Sequence, residues 1–407
     1  MSESAGPLRL RVSPWLRELM RYDKFARATP HLLVLQGGYW LESACLRAAR
    51  HLGWKTALAP VVMEGTMPRE MIAAFLERLT TFRPDFVLAV NLGGMDERGL
   101  FAGLFADLEI PYVTWFVDDP RTILMDRTCY VSPFAVACTW ERAYQSYLEA
   151  AGFACTFFLP LAADIHLFQG AFDPAAFQPP SFVGSSMAGY AAREWPWLDA
   201  RPRLANALRE AFAAGRVGRE SFGQGMQAII GEKVWAACDA EERRHLELVC
   251  FIEGTRRLRE ALVRALAPED LVVRGDNGWQ DITPLAGPPV DYDRELPAWF
   301  RACTVNLNTT SLQMATAVNQ RVFDCPAAGG FLLTDAQEDL GELFGPEEVE
   351  TYASLEECRE KIRYYRDHPA ARGKVVAAAQ TRILQEHTYE HRLQHLVSSL
   401  TLRFRAS

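Results

Sequence analysis

The chain has 407 residues, of which 49% are hydrophobic and 23% are charged, and its formal net charge at pH 7 is −8. This length is too great for one ordinary core and predicts two domains of soluble, globular composition. The acidic balance excludes an overall basic surface for nucleic acid, so an anionic substrate must be met by a few local cations.

Nine cysteines are scattered along the chain, and none of them forms a Cys-x-x-Cys pair. Such a set argues against a disulfide framework or a zinc site, and we predict neither a metal nor a cofactor. The first residues lack an apolar segment of the signal-peptide type, and no run approaches the ~18 apolar residues that cross a bilayer. We therefore expect a cytoplasmic protein with no transmembrane segment; the oligomeric state is not indicated.

Residues 1–29 form a polar to amphipathic N-terminal arm. From residue 30 to 170, apolar strand-like runs alternate with helical stretches, which is typical of an α/β domain with a parallel sheet covered by helices on both faces. Ligands of such domains lie beyond the carboxyl ends of the strands. The predicted strands are Leu32–Gln36, Thr56–Pro60, Phe86–Val90, Tyr112–Val117, Phe134–Thr139 and Cys155–Leu159.

Two glycines follow the first predicted strand. Gly37, Gly38 and Tyr39 lie between this strand and a helix, where glycine lets the backbone approach a ligand at a helix N-terminus. A plain strand–helix turn is an equally open interpretation. The spacing is not Gly-x-Gly-x-x-Gly, so a nicotinamide or flavin site is not indicated. We interpret these three residues as an acceptor or phosphate loop.

Two adjacent carboxylates, Asp118 and Asp119, follow the fourth strand. One interpretation is that one of them caps the following helix. The other is that one faces the ligand crevice as a catalytic base or as a contact to the acceptor. Desolvation raises the pKa of a carboxyl group and suits it to taking a proton from a sugar hydroxyl.

Residues 171–180 are rich in Pro and Gln and are predicted to be a linker. A second Rossmann-like domain is predicted over residues 181–385, with a helical insertion at 190–267 that we interpret as architecture. The insertion could instead shape an acceptor pocket or a dimer face.

Small residues follow the first strand of the second domain. Gly184, Ser185 and Ser186 form a loop of the kind whose backbone amides meet phosphate oxygens. The next strand leads to Asp276, Asn277 and Trp279. We assign these residues to the binding of a nucleotide-activated donor. Trp279 either stacks on a nucleobase or packs in the core.

The centre of the predicted site is Asn306–Asp335. The run Cys303–Leu307 predicts a strand, and a helix is predicted from about Asn319 to Ala328. The amides and dipole of a helix N-terminus attract anions, and Arg321 adds a guanidinium suited to phosphate. Asp324, one turn later, could reach a ribose hydroxyl. The donor-binding residues predicted in this stretch are Asn308, Thr309, Thr310, Asn319, Arg321 and Asp324.

Several phrases of this sequence resemble the bacterial spore-maturation (CgeB-like) glycosyltransferases, within the GT-B class of glycosyltransferases with two Rossmann-like domains. These phrases are YVTWFVDDP, FAVACT to FLPLAAD, FVGSS, LVVRGDNGW, VDYDRELP, VNLNTT and RVFDCPAAGGFLLTD. The resemblance spans roughly Leu32 to the C-terminus and is strongest from Tyr292 onward.

The resemblance implies a metal-independent enzyme that binds a nucleoside-diphosphate sugar mainly in its second domain. It implies that the first domain binds a glycan, a lipid-linked saccharide or a protein acceptor, and that the reaction takes place in the cleft between the domains. In this class helix dipoles and basic side chains stabilise the diphosphate charge. The resemblance further implies that residues 386–407 form a helix that crosses back to the N-terminal domain.

One feature of the better-known retaining members is altered here. They carry two glutamates eight positions apart, whereas this chain has Thr316 and Asp324. Thr316 supplies no negative charge beside the sugar, which leaves the sugar and the stereochemical course open. Two further hypotheses are a nucleotide-sugar epimerase on the same fold and a non-catalytic saccharide-binding or surface-assembly relative.

Overall fold

The structure, a computed structural model, describes residues 11–60, 69–125 and 127–405. The chain divides into two compact units: Met1–Pro160 with Tyr389–Ser407, and Leu161–Thr388. Residues 161–180, predicted to belong partly to the first domain and partly to a linker, group with the second unit. None of the helices in the described ranges is long and apolar enough to cross a membrane.

The first unit is built on a six-stranded parallel sheet. Its strands are β1 (His31–Gln36), β2 (Lys55–Pro60), β3 (Phe86–Val90), β4 (Tyr112–Phe116), β5 (Ala135–Thr139) and β6 (Thr156–Phe158), in the order β2-β1-β3-β4-β5-β6. The six predicted strands are confirmed, with ends shifted by at most one residue. Because β3, β4 and β5 are buried along their whole length, their sequences are nearly continuous apolar runs, interrupted only by threonines.

Helices cover this sheet and complete its core. They are α1 (Pro14–Leu19), α2 (Trp40–His51), α3 (Arg69–Phe82), α4 (Leu100–Asp107), α5 (Pro120–Leu124) and α6 (Gln145–Ala150). The helix Tyr389–Phe404 belongs to the same unit, although it follows the whole second unit in the sequence. Its residues Tyr389, Leu393, Leu396 and Leu400 are fully buried, and the Tyr389 ring lies 6.1 Å from that of Trp115.

The second unit contains another six-stranded parallel sheet. Its strands are β7 (Ser181–Val183), β8 (Val272–Arg274), β9 (Ala286–Gly287), β10 (Asn306–Asn308), β11 (Leu332–Asp335) and β12 (Glu350–Tyr352). Their order is β12-β11-β10-β7-β8-β9. The two parallel sheets confirm the predicted α/β fold with two Rossmann-like sheets.

Six helices form the insertion between β7 and β8. They are α7 (Ala188–Asp199), α8 (Pro202–Ala213), α9 (Arg219–Gln224), α10 (Met226–Ile230), α11 (Glu232–Ala236) and the long α12 (Ala240–Leu266). The insertion has an apolar core of its own, which includes Leu198, Leu208, Ile229, Leu246 and Val249. Leu312, from the loop after β10, packs into the same core, so the insertion is attached directly to that loop.

The remaining helices of the chain are α13 (Leu296–Ala302), α14 (Arg321–Ala327), α15 (Leu340–Leu343), α16 (Leu355–Asp367), α17 (Pro369–Glu386) and α18 (Tyr389–Phe404). The predicted strand Cys303–Leu307 starts later than expected, because α13 extends to Ala302 and β10 begins at Asn306. The predicted helix from Asn319 to Ala328 corresponds to α14. It ends before Gly329, whose φ of 88° is the left-handed conformation that glycine adopts at helix ends.

Each sheet has one point at which the strand connections diverge to opposite sides. In the first sheet this point lies between β1 and β3, and in the second it lies between β7 and β10. The loops that follow such neighbouring strands turn to opposite faces and leave a crevice at their carboxyl ends. The predicted site residues follow these strands in both units.

Candidate functional site

The loop Gly184–Ser186 follows β7 and is held by Asp276, which follows β8. One carboxylate oxygen of Asp276 accepts hydrogen bonds from the Ser185 hydroxyl at 2.6 Å and the Ser186 amide at 2.8 Å. The other accepts from the Ser186 hydroxyl and the Gly278 amide. Burial opposes ionisation of Asp276, but these donors outweigh it and lower its pKa. Asp276 is therefore an anion that fixes the loop.

The amides of this loop are mostly occupied, in contrast to the prediction that they bind phosphate. The Gly184 amide donates to the Arg274 carbonyl at 2.9 Å, and the Ser186 amide donates to Asp276. Among the residues that the structure describes, the Ser185 amide has no acceptor. A ligand therefore finds one loop amide, and side chains must supply the other contacts.

Arg321 lies across the point where the connections of the second sheet diverge. Its guanidinium donates to the Val183 carbonyl at the end of β7 at 2.6 Å and to the Asn308 side-chain oxygen at the end of β10 at 2.5 Å. Burial lowers its pKa, and nearby acidic groups including Asp335 oppose this effect. Arg321 is thus a half-buried cation placed where ligands of such sheets bind.

The N-terminus of α14 does not present free amides. The Arg321 amide donates to the Asn319 side chain at 3.1 Å, and the Val322 amide donates to the Asn319 carbonyl at 3.1 Å. Asn319 in turn donates to the Asn308 oxygen at 2.8 Å. Asn319 and Asn308 therefore orient Arg321, and the helix amides that were predicted to contact phosphate already donate within the chain.

Arg259, on the long helix α12 of the insertion, is a second cation beside the Gly184–Ser186 loop. It donates to the Ser185 carbonyl at 2.8 Å, and its Nε is buried without a hydrogen-bond partner. Burial and the charge of Arg321 together lower the pKa of Arg259 to about 10, whereas Asp276 and Asp335 act in the opposite direction. Two guanidinium groups that repel each other beside a serine loop form a site suited to an anion.

Thr310 and Asp335 close the other side of this region. Asp335, at the end of β11, accepts hydrogen bonds from the Thr310 amide at 2.9 Å and from its hydroxyl at 3.0 Å. Arg219, from α9, pairs with Asp335 and donates to the Thr310 carbonyl at 2.6 Å. Thr309 is buried and contacts the Tyr352 hydroxyl. These hydroxyl residues hold the loop after β10 to the sheet and to the insertion.

Asp324 is completely buried on α14. Its carboxylate accepts from the Tyr292 hydroxyl and from the Gln320 amide group, both at 2.7 Å, and Asp164 lies nearby. Burial raises the pKa of Asp324 to about 8. At 1% exposure it offers no surface to a ribose hydroxyl, so the predicted ribose contact requires Tyr292 or Gln320 to move aside.

Asn277 and Trp279 lie in the short turn after Asp276. Trp279 is 0% exposed, donates to the Gly184 carbonyl at 2.8 Å and packs edge-on against Phe182. Its ring therefore packs in the core, and a nucleobase cannot stack on it in this conformation. Asn277 is exposed and remains available to a ligand.

The glycine loop of the first unit is occupied by a carboxylate from its own helix. Glu42, in the first turn of α2, accepts from the Gly37 amide at 2.7 Å and the Gly38 amide at 3.2 Å. The Tyr39 amide contributes a further hydrogen bond. Burial raises the pKa of Glu42, and the three amides oppose that shift. The predicted phosphate loop thus already holds an acidic group.

The two adjacent aspartates of the first unit have different roles. Asp119 is buried, caps α5 by accepting from the Arg121 amide at 2.9 Å, and pairs with the Arg121 guanidinium at 2.6 Å. Asp118 is half-buried and accepts from the Asn91 side chain at 2.8 Å. The capping interpretation is therefore correct for Asp119, which leaves Asp118 as the carboxylate with access to solvent.

Asn91 orients Asp118 and was not among the predicted site residues. Its side-chain oxygen accepts from the Val117 amide at 2.8 Å while its nitrogen donates to Asp118. Asn91 and Leu92 both have positive φ, 50° and 58°, a conformation that is costly for residues with a Cβ. Beside them Gly93 approaches Gly37 so closely that a Cβ on Gly37 would lie 2.6 Å from the Gly93 Cα.

Comparison with known proteins gives one family match and several structural neighbours. A family model described as glycosyl transferase-like matches residues 253–398, which is less than half of the chain. This range contains Arg259, Asp276, Asn308 and Arg321. No curated protein matches the chain by sequence.

Two solved proteins have a similar fold over most of the chain. Sucrose-phosphate synthase from Thermosynechococcus elongatus superposes with a TM-score of 0.53 at 11% identity, covering 93% of this chain and 100% of the other. Anabaena HepE gives 0.51 at 11% identity in its complex with UDP-glucose and 0.50 at 12% in its complex with UDP, each covering 92% of this chain and 100% of the other. At these identities the likeness establishes the fold, which is that of the GT-B class.

Proposed function

We propose that this glycosyltransferase of the GT-B class transfers a sugar from a nucleoside diphosphate to a hydroxyl group of a glycan, a lipid-linked saccharide or a protein. The observation that carries the proposal is the pair Arg259 and Arg321 beside the Gly184–Ser186 loop. Two half-buried cations with mutual repulsion are stabilised when a diphosphate binds between them.

The same pair suits the chemistry of the transfer. The bond between the sugar and the diphosphate breaks, a bond from the sugar to the acceptor oxygen forms, and the departing diphosphate gains negative charge. Guanidinium groups fixed in advance stabilise that charge without rearranging. We assign this task to Arg259 and Arg321 and therefore propose a reaction that needs no metal.

The acceptor hydroxyl loses a proton, and we assign its removal to Asp118. The Asn91 hydrogen bond fixes one carboxylate oxygen of Asp118, and the carboxylate keeps its access to solvent. Asp119 is unsuited to this role because its carboxylate is engaged by Arg121 and the α5 cap. General-base assistance of this kind typically raises the reaction rate by roughly 10²- to 10⁴-fold.

We propose a uridine nucleotide as the first donor to test, because HepE was solved with UDP-glucose and with UDP. Membership of the CgeB-like family is the finer form of this proposal, supported by the sequence phrases quoted above. A cytoplasmic location is also proposed, and it is supported by the nine free cysteines.

The test is a thermal-shift screen against UDP, GDP and ADP and their glucose or mannose derivatives, followed by NMR analysis of the products. A ligand at a hundred times its Kd stabilises the folded chain by about 2.7 kcal/mol, which is readily detected. We expect one nucleoside diphosphate to stabilise the chain and its sugar to be transferred or slowly hydrolysed. Conversion of the donor to an epimer without acceptor would establish the epimerase instead, and no shift with any nucleotide would refute the donor site.

A further inference from the structure

The crevice of the first unit already contains a negative charge where nucleotide-binding sheets hold phosphate. In such sheets the amides after the first strand and at the start of the next helix bind anions. Here the amides of Gly37, Gly38 and Tyr39 all donate to Glu42, which is 4% exposed. The carboxylate of the chain itself therefore takes the place of an anionic ligand.

A second carboxylate lies in the same crevice. Asp118 approaches from the end of β4 and is held by Asn91 from the end of β3. Both carboxylates act on Tyr39: burial raises the pKa of the Tyr39 hydroxyl, and the charges of Asp118 and Glu42 raise it further, against a hydrogen bond with Asn91. An incoming phosphate would thus meet two acidic groups and no free amide of the glycine loop.

The glycine loop is packed closely at Gly37. A Cβ there would lie 2.9 Å from the Glu42 carboxylate oxygen and 2.6 Å from the Gly93 Cα, so only glycine fits between Glu42 and Gly93 at this position. Ligand groups that suit the remaining surface are hydroxyls, which can donate to Asp118 and exchange hydrogen bonds with Tyr39 and Asn91.

From these contacts we propose that the first unit selects an acceptor without phosphate or another negative charge beside the reacting hydroxyl, and that Glu42 sets this selectivity. The proposal rests on the function proposed above, in which the first unit binds the acceptor. It defines the acceptor class as a neutral or basic hydroxyl compound at the point of attachment.

The first test does not depend on activity. Crystals of the wild-type chain and of Glu42→Ala are soaked in sodium selenate, and the anomalous signal locates the bound anion. We expect selenate at the amides of Gly37–Tyr39 in Glu42→Ala and none there in the wild type. Selenate on these amides in the wild type overturns the proposal, as does their remaining empty in a Glu42→Ala crystal with the loop unchanged.

The second test uses transfer to a matched pair of acceptors, p-nitrophenyl glucoside and its 6-phosphate, with Glu42→Gln as the variant that keeps the side-chain volume. We expect the wild type to prefer the neutral acceptor by about tenfold or more in kcat/KM, and Glu42→Gln to narrow that ratio severalfold. Equal use of both acceptors by the wild type contradicts the selectivity. Absence of transfer to either acceptor, with nucleotide binding intact, counts against the proposed function, and the selenate result then decides the role of Glu42 on its own.

Discussion

Replacing Arg259 by Met separates the stability of the fold from the binding of the donor. Burial, together with the charge of Arg321, lowers the pKa of Arg259 to about 10, so keeping the group charged in the folded chain costs about 3 kcal/mol at neutral pH. The substitution removes that cost but also removes the charged hydrogen bond to the Ser185 carbonyl, which contributes about 1.5–3 kcal/mol. The two effects largely cancel, and the free energy of unfolding should change by about 1.5 kcal/mol or less.

Donor binding should respond very differently to the same change. A charged hydrogen bond to the diphosphate contributes about 1.5–3 kcal/mol, so Arg259→Met should weaken binding of UDP, or of the nucleoside diphosphate identified by the screen, by about 10- to 150-fold. Isothermal titration calorimetry measures this Kd, and urea unfolding measures the stability. The matched control is Arg257→Met on the same helix, where the arginine is half-exposed and pairs with Glu253. Unchanged affinity in Arg259→Met, or an equal loss in the control, would refute the assignment of Arg259 to the diphosphate.

Arg321→Ala should abolish detectable nucleotide binding in calorimetry. It should also lower the free energy of unfolding by about 2 kcal/mol, because the Val183 carbonyl and the Asn308 oxygen lose a charged donor. Unaltered stability would contradict these contacts. The raised pKa of Asp324, about 8, means that the folded chain keeps a proton that the unfolded chain releases above about pH 4. The free energy of unfolding of the wild type should therefore fall, relative to that of Asp324→Asn, by up to about 1.4 kcal/mol per pH unit between about pH 4 and 8. Urea unfolding at several pH values measures this difference, and the same pH dependence in both proteins would exclude a buried protonated carboxyl group. Asp118→Asn should reduce the rate of sugar transfer by about 10²-fold or more with little effect on Tm. Asp119→Asn should instead lower the free energy of unfolding by about 1–3 kcal/mol, because Arg121 loses its partner. The reverse pattern would show that the roles of the two residues are exchanged.

The fold was predictable because parallel strands covered on both faces are continuous apolar runs. Val87, Val113 and Val136 lie in strands that are buried from end to end, and runs of this kind indicate the sheet without any tertiary information. The strand Cys303–Leu307 was predicted too early for the opposite reason. Its first three residues, Cys303, Thr304 and Val305, follow α13 into the core and are buried there, and burial alone does not distinguish a strand from a coil.

The candidate site was predictable only where a residue ends a strand or begins the next helix. Asn308 ends β10 and Arg321 begins α14, so both met that condition, and the structure brings them together. Arg259 did not meet it. Arg259 lies on α12 with several other arginines, and which of them faces the site depends on how Gly254 and Thr255 of α12 pack against the loop after β10. Glu42 was missed because a first-turn glutamate also suits the helix dipole, and its contact with Gly37 depends on the loop conformation.

The position of α18 has a consequence for synthesis of the chain. The buried side chains of Tyr389, Leu393 and Leu396 belong to the core of the first unit, yet they are translated after all of Leu161–Thr388. A nascent chain that has reached Pro160 therefore exposes the apolar surface that α18 later covers, and it keeps that surface exposed while the second unit is made. Chaperone binding during translation should accordingly concentrate on this interval, and a fragment ending at Pro160 should aggregate unless a peptide corresponding to 389–405 is supplied.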